Sequence, residues 1–86
     1  MQVDFTKAFD KQFAKLPLKR QEKARETIAL YLQNVSAPSL RLHVLKGEWL
    51  GYQSISAGGD LRLHFKMVEQ DTILFVAVGS HSQLYK

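Results

Sequence analysis

Apolar residues in the first third of the chain recur at the spacing of an α-helix. The first stripe, with neighbours three or four positions apart, consists of Phe5, Phe9, Phe13 and Leu16. Residues with this spacing share one face of a helix, so the pattern predicts a helix over residues 6–16 that begins at a capping Thr6. Pro17 interrupts the pattern, and because proline suits a first helical turn, it also marks the start of a second helix.

The second helix is predicted over residues 18–34. Its apolar positions again form one stripe, while most of its charged residues lie elsewhere on the helix. The members of the stripe are Ala24, Ile28, Tyr31, Leu32 and Val35. Ser36 and Pro38 then break the helix. The first third of the chain is therefore predicted to form a helical hairpin with one face available for a core.

From Leu40 onward, the period of the apolar residues changes from about 3.6 to 2, which indicates β-strands. Four segments with strand character are separated by tight polar or glycine-containing turns: residues 40–45, 49–56, 61–67 and 72–79. They predict an antiparallel meander, with a sheet spanning residues 40–81 and no helix after residue 60. The segment "VDF" at residues 3–5 is a candidate for one further short strand.

The segment "LRLHFKM" at residues 61–67 has the cleanest alternation in the chain. One set of side chains is predicted to face the helices: Leu61, Leu63, Phe65 and Met67. Arg62, His64 and Lys66 are then expected on the open face of the sheet. The predicted fold is α+β, a single domain over residues 1–86 in which the N-terminal helical hairpin packs on one face of a mainly antiparallel sheet.

Composition and charge narrow the classes of function. With 86 residues, 45% of them hydrophobic and 23% charged, the chain has the composition of one globular domain. The absence of cysteine excludes disulfides and thiolate chemistry, and the absence of a long apolar segment favours a cytoplasmic protein without a membrane partner. The net charge is +4, and residues 1–35 carry seven bases against four acids. This excess favours an acidic partner such as nucleic acid.

The three histidines, His43, His64 and His81, all fall in the strand half of the chain. None of them has a metal-binding spacing, and no cluster of carboxylates lies near them, so we expect neither a metal nor a cofactor. Metal-free RNA cleavage needs a base, an acid and cations that stabilise the phosphorane, and histidine, arginine, lysine and tyrosine can supply them. The alternative explanation is a solvated polar face of the sheet.

Four short motifs follow one another in the second half: "HVLKG" at 43–47, "WLGY" at 49–52, "GDLRLHFK" at 59–66 and "VGSHSQLY" at 78–85. In this order they resemble the C-terminal half of the RelE/YafQ group of bacterial toxins, part of the RelE/ParE superfamily of type II toxin–antitoxin systems. The resemblance implies a RelE-like, microbial RNase-like domain that cleaves messenger RNA in the ribosomal A site and so inhibits translation. It also implies neutralisation by a cognate antitoxin, and contact with operator DNA only through the antitoxin complex.

The resemblance also implies a site, when it is carried over position by position. The catalytic set that it implies is His43, Asp60, Arg62, His81 and Tyr85. In this set, His43 and His81 are candidates for the general acid and base, and Tyr85 is a candidate for stacking on a nucleobase. The supporting RNA-binding residues are Lys46, His64 and Lys66.

Three positions depart from the pattern of the family. Ser54 and Ser56 stand where YafQ-like members carry an acid and a histidine, and Ala77 stands where they carry an arginine. Serine is not a base near neutral pH without activation, and alanine has no charge. Two alternatives therefore stay open beside the ribonuclease, namely a catalytically degenerate binding module with the same fold, and a ParE-like inhibitor of DNA gyrase. The histidines favour the ribonuclease over the gyrase inhibitor.

Overall fold

The computed structural model describes residues 2–85. Strand β1 at Gln2–Phe5 is followed by helices α1 at Lys7–Ala14 and α2 at Leu18–Gln33. The second half contains strands β2 at His43–Val44, β3 at Gln53–Ser56, β4 at Leu61–Glu69 and β5 at Thr72–Ser80, and then a one-turn helix α3 at His81–Leu84. Within the described range, no helix is both long and apolar enough to cross a membrane.

The five strands form one sheet in the order β1-β5-β4-β3-β2. Strands β2 to β5 pair antiparallel in succession, and β1 pairs in parallel with β5, with Gln2 opposite Thr72. The parallel pairing is possible because α1 and α2 lie in the long connection between these two strands. The predicted α+β fold, with a helical hairpin on a mainly antiparallel sheet, is confirmed, as is the short strand at residues 3–5.

Aromatic contacts join the helices to the sheet. The ring centroids of Phe9 and Phe75 are 6.0 Å apart, and those of Tyr31 and Phe65 are 5.0 Å apart. Phe65 and Phe75 are themselves neighbours on paired strands at 5.4 Å. Leu61, Leu63 and Phe65 are buried in this core as predicted. The hydrophobic stripes of both helices therefore cover one face of β4 and β5.

Met67 pairs with the buried Ile73 and therefore points to the predicted core face, but its side chain is 44% exposed. The pairing of β4 with β5 is irregular between Met67 and Glu69, and residues 67–69 are all exposed. This irregularity follows Met67 and interrupts the alternation only beyond that residue, so the exposure of residues 67–69 shows that the end of β4 extends past the covered core.

The predicted strands at residues 40–45 and 49–56 are much shorter than expected. Pro38–Leu40 forms a 3-10 turn, and Arg41 has a left-handed backbone with φ 49°, so only His43–Val44 remain extended enough to pair. A second 3-10 turn at Gly47–Trp49 delays the next strand until Gln53. The expectation of no helix after residue 60 is also wrong, because α3 follows β5 directly.

Side chains at the start of the helical hairpin complete the hydrogen bonds of β5. The hydroxyl of Thr6 accepts a bond from the amide of Phe9 at 3.1 Å, which confirms the predicted cap of α1. Because β1 ends at Phe5, it leaves the far part of the β5 edge without a strand partner. There, Gln12 Oε1 accepts a bond from the buried amide of Val78 at 2.9 Å. The helix α1 is therefore bonded directly to the strand that leads into α3.

We expect Gln12→Ala to lower the free energy of unfolding by about 1–3 kcal/mol, because the amide of Val78 loses its acceptor while it stays buried. Chemical denaturation followed by circular dichroism measures this change. The control is Lys11→Ala on the exposed side of the same helix, which should change the free energy by no more than about 0.5 kcal/mol. Equal stability of the two variants would show that the bond to Val78 does not stabilise the strand.

Candidate active site

The sheet face opposite the helices is organised in two cross-strand rows. Residues that pair directly on antiparallel strands point to the same face, so each row brings its members together. The first row is His43, Ser54, His64 and Ala77, and the second is Ser56, Arg62 and Gly79. Small side chains flank Arg62 and His64 on the neighbouring strands. They leave room for these two larger side chains on β4.

The alternation on β4 predicted that His64 lies exposed on the open face. The structure shows instead that its side chain is covered. It is 0% exposed, because Trp49 and Tyr85 cover it. The Trp49 ring stands nearly perpendicular to the imidazole, with the ring centroids 4.5 Å apart. The Nε2 atom of His64 is 3.0 Å from the hydroxyl of Tyr85. The imidazole is therefore part of the floor beneath the site rather than a surface that RNA can touch.

The environment keeps the imidazole of His64 neutral. Burial, and to a smaller extent the charges of His43 and His81, lower its pKa from 6.5 to about 4. Burial lowers the pKa of a histidine because the protonated form loses its hydration, and nearby cationic forms repel a further positive charge. At neutral pH, His64 can bond to Tyr85 but adds no charge to the site.

An open cleft of about 450 Å³ lies beside this covered row. Its lining residues are Arg41, His43, Val44, Leu45, Lys46, Arg62, His81 and Tyr85. Five of the predicted site residues are among them: His43, Lys46, Arg62, His81 and Tyr85. Among the lining residues that the structure describes there is no carboxylate. The cleft therefore combines two imidazoles with three permanent cations, which suits a polyanion.

The hydrogen bonds of His43 define its tautomer. Its Nδ1 lies 2.9 Å from the carbonyl oxygen of Arg41. A carbonyl oxygen can only accept, so Nδ1 carries the proton. In the neutral imidazole, Nε2 then has the lone pair that a general base needs.

The guanidinium of Arg62 is fixed at the wall of the cleft. Its Nη1 donates to the hydroxyl of Ser56 at 3.1 Å, the carbonyl of Gly59 at 2.9 Å and the carbonyl of Leu61 at 3.0 Å. Over residues 2–85, every protein hydrogen bond of this guanidinium uses Nη1. The Nη2 and Nε groups can therefore donate to an anion, as an arginine that binds phosphate does.

Helix α3 and the residue that caps its end present His81 and Tyr85 to the cleft, with ring centroids 4.3 Å apart. Its first turn is closed by a capping box, in which Ser80 Oγ accepts from the Gln83 amide and Gln83 Oε1 accepts from the Ser80 amide. A Cβ at position 79 would lie 2.8 Å from Gln83 Oε1, so a larger residue there would displace the Gln83 side chain that closes the capping box.

Two bonds from other segments hold α3 against the sheet. The amide of His81 donates to the carbonyl of Asp60 at 2.8 Å, and the indole Nε1 of Trp49 donates to the carbonyl of Leu84 at 3.0 Å. The β3–β4 turn and the turn that carries Trp49 therefore position the last part of the site together.

Two further predicted site residues lie outside the cleft. The carboxylate of Asp60 pairs with Arg20 at 3.2 Å, with both side chains about half exposed. Lys66 Nζ lies over the ring of Tyr52, 5.2 Å from its centroid. Asp60 therefore contributes its carbonyl to the fold of the site, and Lys66 lies against Tyr52 rather than in the cleft.

Sequence reasoning missed Arg41 and Trp49. A signal for Arg41 was present, since it stands two positions before His43 and is a base. Trp49 is the single tryptophan of the sequence and belongs to the "WLGY" motif, but no local pattern reveals its bond to Leu84. For residues 2–85, no group of three or more possible metal-ligating side chains is arranged to hold an ion.

Comparison with known proteins adds to this geometry. The chain matches, over residues 1–86, the family model for the bacterial toxin of type II toxin–antitoxin systems, YafQ. YafQ from E. coli has 22% sequence identity and a TM-score of 0.81, with 99% of this chain and 98% of that chain covered. A chain of the E. coli DinJ–YafQ complex has 23% identity and a TM-score of 0.78, with the same coverage.

A metal-bound toxin from Helicobacter pylori has 27% identity and a TM-score of 0.71, with 99% of each chain covered. The identities of the two E. coli structures show a shared fold only. No curated protein matches the sequence. The family model and the solved structures therefore agree with the resemblance that the four motifs carry.

We expect the stability of the protein to fall by up to about 3 kcal/mol between pH 7 and pH 4 because of His64. An unfolded histidine binds its proton near pH 6.5, whereas folding lowers the pKa of His64 to about 4. Between these two pH values the unfolded state binds one more proton than the folded state. The contribution of neutral His64 to stability is therefore complete above pH 6.5 and is lost as the pH falls to about 4.

Chemical denaturation at a series of pH values measures this effect, with His64→Phe as the reference that lacks the titrating group. The difference between the two curves isolates His64 from the carboxylates, which titrate in both proteins. Parallel curves over this range would mean that the pKa of His64 is not lowered by folding.

Proposed function

The chain belongs to the YafQ family of bacterial toxins of type II toxin–antitoxin systems, and from this membership we propose that it is a metal-independent endoribonuclease. Its substrate would be messenger RNA in the ribosomal A site, and its cleavage would inhibit translation. The observation that carries the proposal is the cleft, which is lined by His43 and His81 together with the cations Arg62 and Lys46.

The proposed reaction is an internal attack by the ribose 2′-hydroxyl on the adjacent phosphate. His43 Nε2 takes the proton of the hydroxyl, because its Nδ1 is occupied by the Arg41 carbonyl. The 2′-oxygen forms a bond to phosphorus, and the bond from phosphorus to the 5′-oxygen breaks. His81, in its protonated form, donates a proton to the leaving oxygen. The products are a 2′,3′-cyclic phosphate and a free 5′-hydroxyl.

The cations of the cleft stabilise the phosphorane, which carries more negative charge than the ground-state phosphate. Three hydrogen bonds that Nη1 donates hold the guanidinium of Arg62 in place. Its other N–H groups can therefore donate to the phosphorane without reorganising. Arg41 and Lys46 add charge from the neighbouring segment. Tyr85 offers its ring as a stacking surface for a nucleobase.

The three departures from the family pattern, Ser54, Ser56 and Ala77, supply no charge to the cleft. Ser54 and Ala77 are buried on either side of His64, and the hydroxyl of Ser56 accepts a bond from Arg62. The positive charge of the cleft comes instead from Arg41, Lys46 and Arg62. A degenerate binding module would have no need for two imidazoles beside these cations. The same pair favours RNA cleavage over gyrase inhibition.

We also propose that a cognate antitoxin is the protein partner, as DinJ is for the YafQ of the E. coli complex. Two surfaces suit an acidic, amphipathic segment of such a partner. One is the cationic cleft, and the other is an apolar groove of about 210 Å³ along the helices, lined by Phe5, Phe9, Asp10, Phe13, Arg25 and Ile28. Operator DNA would then be bound only through the complex.

We expect His43→Ala and His81→Ala each to slow cleavage by about 10²–10⁴-fold, because each removes a proton-transfer group. Arg62→Ala should slow cleavage by about 10²–10³-fold through weaker stabilisation of the phosphorane. Tyr85→Ala should cost about 1–3 kcal/mol if a base stacks on the ring. Single-turnover cleavage of messenger RNA on programmed ribosomes measures these changes.

The control for these variants is Lys11→Ala, which removes a positive charge from α1, outside the cleft, and should cleave like the wild type. Circular dichroism confirms that each variant is folded. Unchanged cleavage by His81→Ala and Arg62→Ala would contradict the site. No cleavage by the wild type would favour the degenerate binding module.

For the partner, we expect growth arrest when the protein is expressed alone and rescue when the product of an adjacent reading frame is co-expressed, since a neutralising antitoxin covers the site. Co-purification tests the complex, and hydrogen exchange locates the protected surface. Protection is expected in residues 41–46 and 81–85 or along α1 and α2. A protein that is harmless alone and purifies without a partner would rule out the toxin proposal.

A further inference from the structure

An unbroken series of rings runs beneath the cleft. The ring centroids are 5.5 Å apart between Tyr52 and Trp49, 4.5 Å between Trp49 and His64, 5.2 Å between His64 and Tyr85, and 4.3 Å between Tyr85 and His81. Only the last two members line the cleft. His64 is the buried ring at the centre of the series, and it connects Tyr52 and Trp49 on one side to Tyr85 and His81 on the other.

The two nitrogens of His64 have different surroundings. Nε2 bonds to the hydroxyl of Tyr85, whereas Nδ1 is buried without a protein partner in the described part of the chain. The same holds for Oγ of Ser54, which stands directly opposite His64 on β3. The side chains of a directly opposed pair lie about 5 Å apart at Cβ, which is within reach of one hydrogen bond or one bridging water.

We propose that His64 is a positioning residue of the site, which holds the hydroxyl of Tyr85 and through the Tyr85 ring sets the orientation of His81. The proposal rests on the proposed function, because it assigns to His64 the precision with which the proposed acid is placed. His64 itself does not touch RNA, since Trp49 and Tyr85 cover it completely.

Ser54 has a defined part in this arrangement. A serine hydroxyl that donates to Nδ1 leaves the proton of the neutral imidazole on Nε2. Nε2 then donates to the oxygen of Tyr85, and the direction of that bond is fixed. The structure shows no bond between Ser54 Oγ and His64 Nδ1. Donation by the Ser54 hydroxyl to Nδ1, directly or through one water, would set the tautomer of His64 and satisfy both buried atoms.

The burial of His64 makes it suitable for this task. The neutral imidazole packs against the Trp49 ring and is bonded through Nε2 to Tyr85, and these two contacts restrict its rotation. The Trp49 indole also bonds to the carbonyl of Leu84, so it fixes the backbone of α3 while His64 fixes the side chain that follows. The backbone and the side chain of the C-terminal turn are therefore attached at separate points.

The test is a double-mutant cycle of His64→Phe and Tyr85→Phe, in which each change keeps a ring and removes one side of the hydrogen bond. Each variant should lower kcat for cleavage on programmed ribosomes by about tenfold, with KM little changed, because the ring of Tyr85 stays available for stacking. The double variant should be no slower than either single variant, since both remove the same bond. Tyr52→Phe, the same change at the other end of the ring series, is the matched control and should keep the wild-type kcat.

Nuclear magnetic resonance supplies a readout that does not depend on activity. The ¹⁵N shifts of His64 should show the Nε2–H tautomer in the wild type and a change of tautomer in Ser54→Ala. The ring protons of His81 should shift in His64→Phe and in Tyr85→Phe but not in Tyr52→Phe. If the wild type does not cleave RNA, the proposed function fails, and these shifts still decide the positioning role.

Three results would overturn the inference. They are additive losses of kcat in the double variant, unchanged His81 resonances in His64→Phe, and an Nδ1–H tautomer in the wild type. Thermal denaturation of each variant separates a loss of position from a loss of fold, because a positioning role predicts altered His81 shifts in a protein that is still folded at the temperature of the assay.

Discussion

The antiparallel pairing of β4 with β5 is the interaction on which both the core and the site depend. On one face it places Phe65 beside Phe75, where the helices cover them. On the other it places His64 beside Ala77 and Arg62 beside Gly79. A slip of one residue would exchange the two faces, burying Arg62 in the core and exposing Phe65. The core and the cleft therefore require the same register, and packing of the helices stabilises the arrangement of the cleft as well as the fold.

Much of the fold was predictable because its signals are local. The helical stripes around residues 9–16 and 24–31 and the alternation in 61–65 reflect periods of the backbone itself, and the structure follows them, whereas Leu32 and Val35 at the end of the second predicted stripe are exposed. Residues 40–52 were predicted poorly, since two 3-10 turns and the left-handed Arg41 replace most of the expected strand there. Met67 points to the predicted face but is 44% exposed, because the end of β4 extends past the covered part of the core, and no local pattern of β4 records where that cover ends.

The candidate site was predictable as a set of residue types, but its arrangement was not. Five of the residues that the motifs indicated line one cleft in the structure. The alternation on β4, in contrast, predicted His64 on an open face. His64 is buried because Trp49, fifteen positions earlier, and Tyr85, from beyond the last strand, close over it. Covers of this kind come from long-range packing. The same packing explains why a histidine, typically a partly exposed residue, is held neutral beneath a cleft of positive charge.

The position of β5 in the sheet has a consequence for how the protein emerges during translation. This strand lies between β1 and β4, yet it is synthesised after every other strand that the structure describes. Until residues 72–80 have left the exit tunnel, β1 has no neighbour, the inner edge of β4 is open and the aromatic core lacks Phe75. The pairing of β5 with β4 is a local hairpin, whereas its pairing with β1 joins Gln2 to Thr72, and pairings over such sequence distances form slowly. The sheet is therefore not complete, and helix α3 has no strand to follow, until this last strand takes its place between β1 and β4.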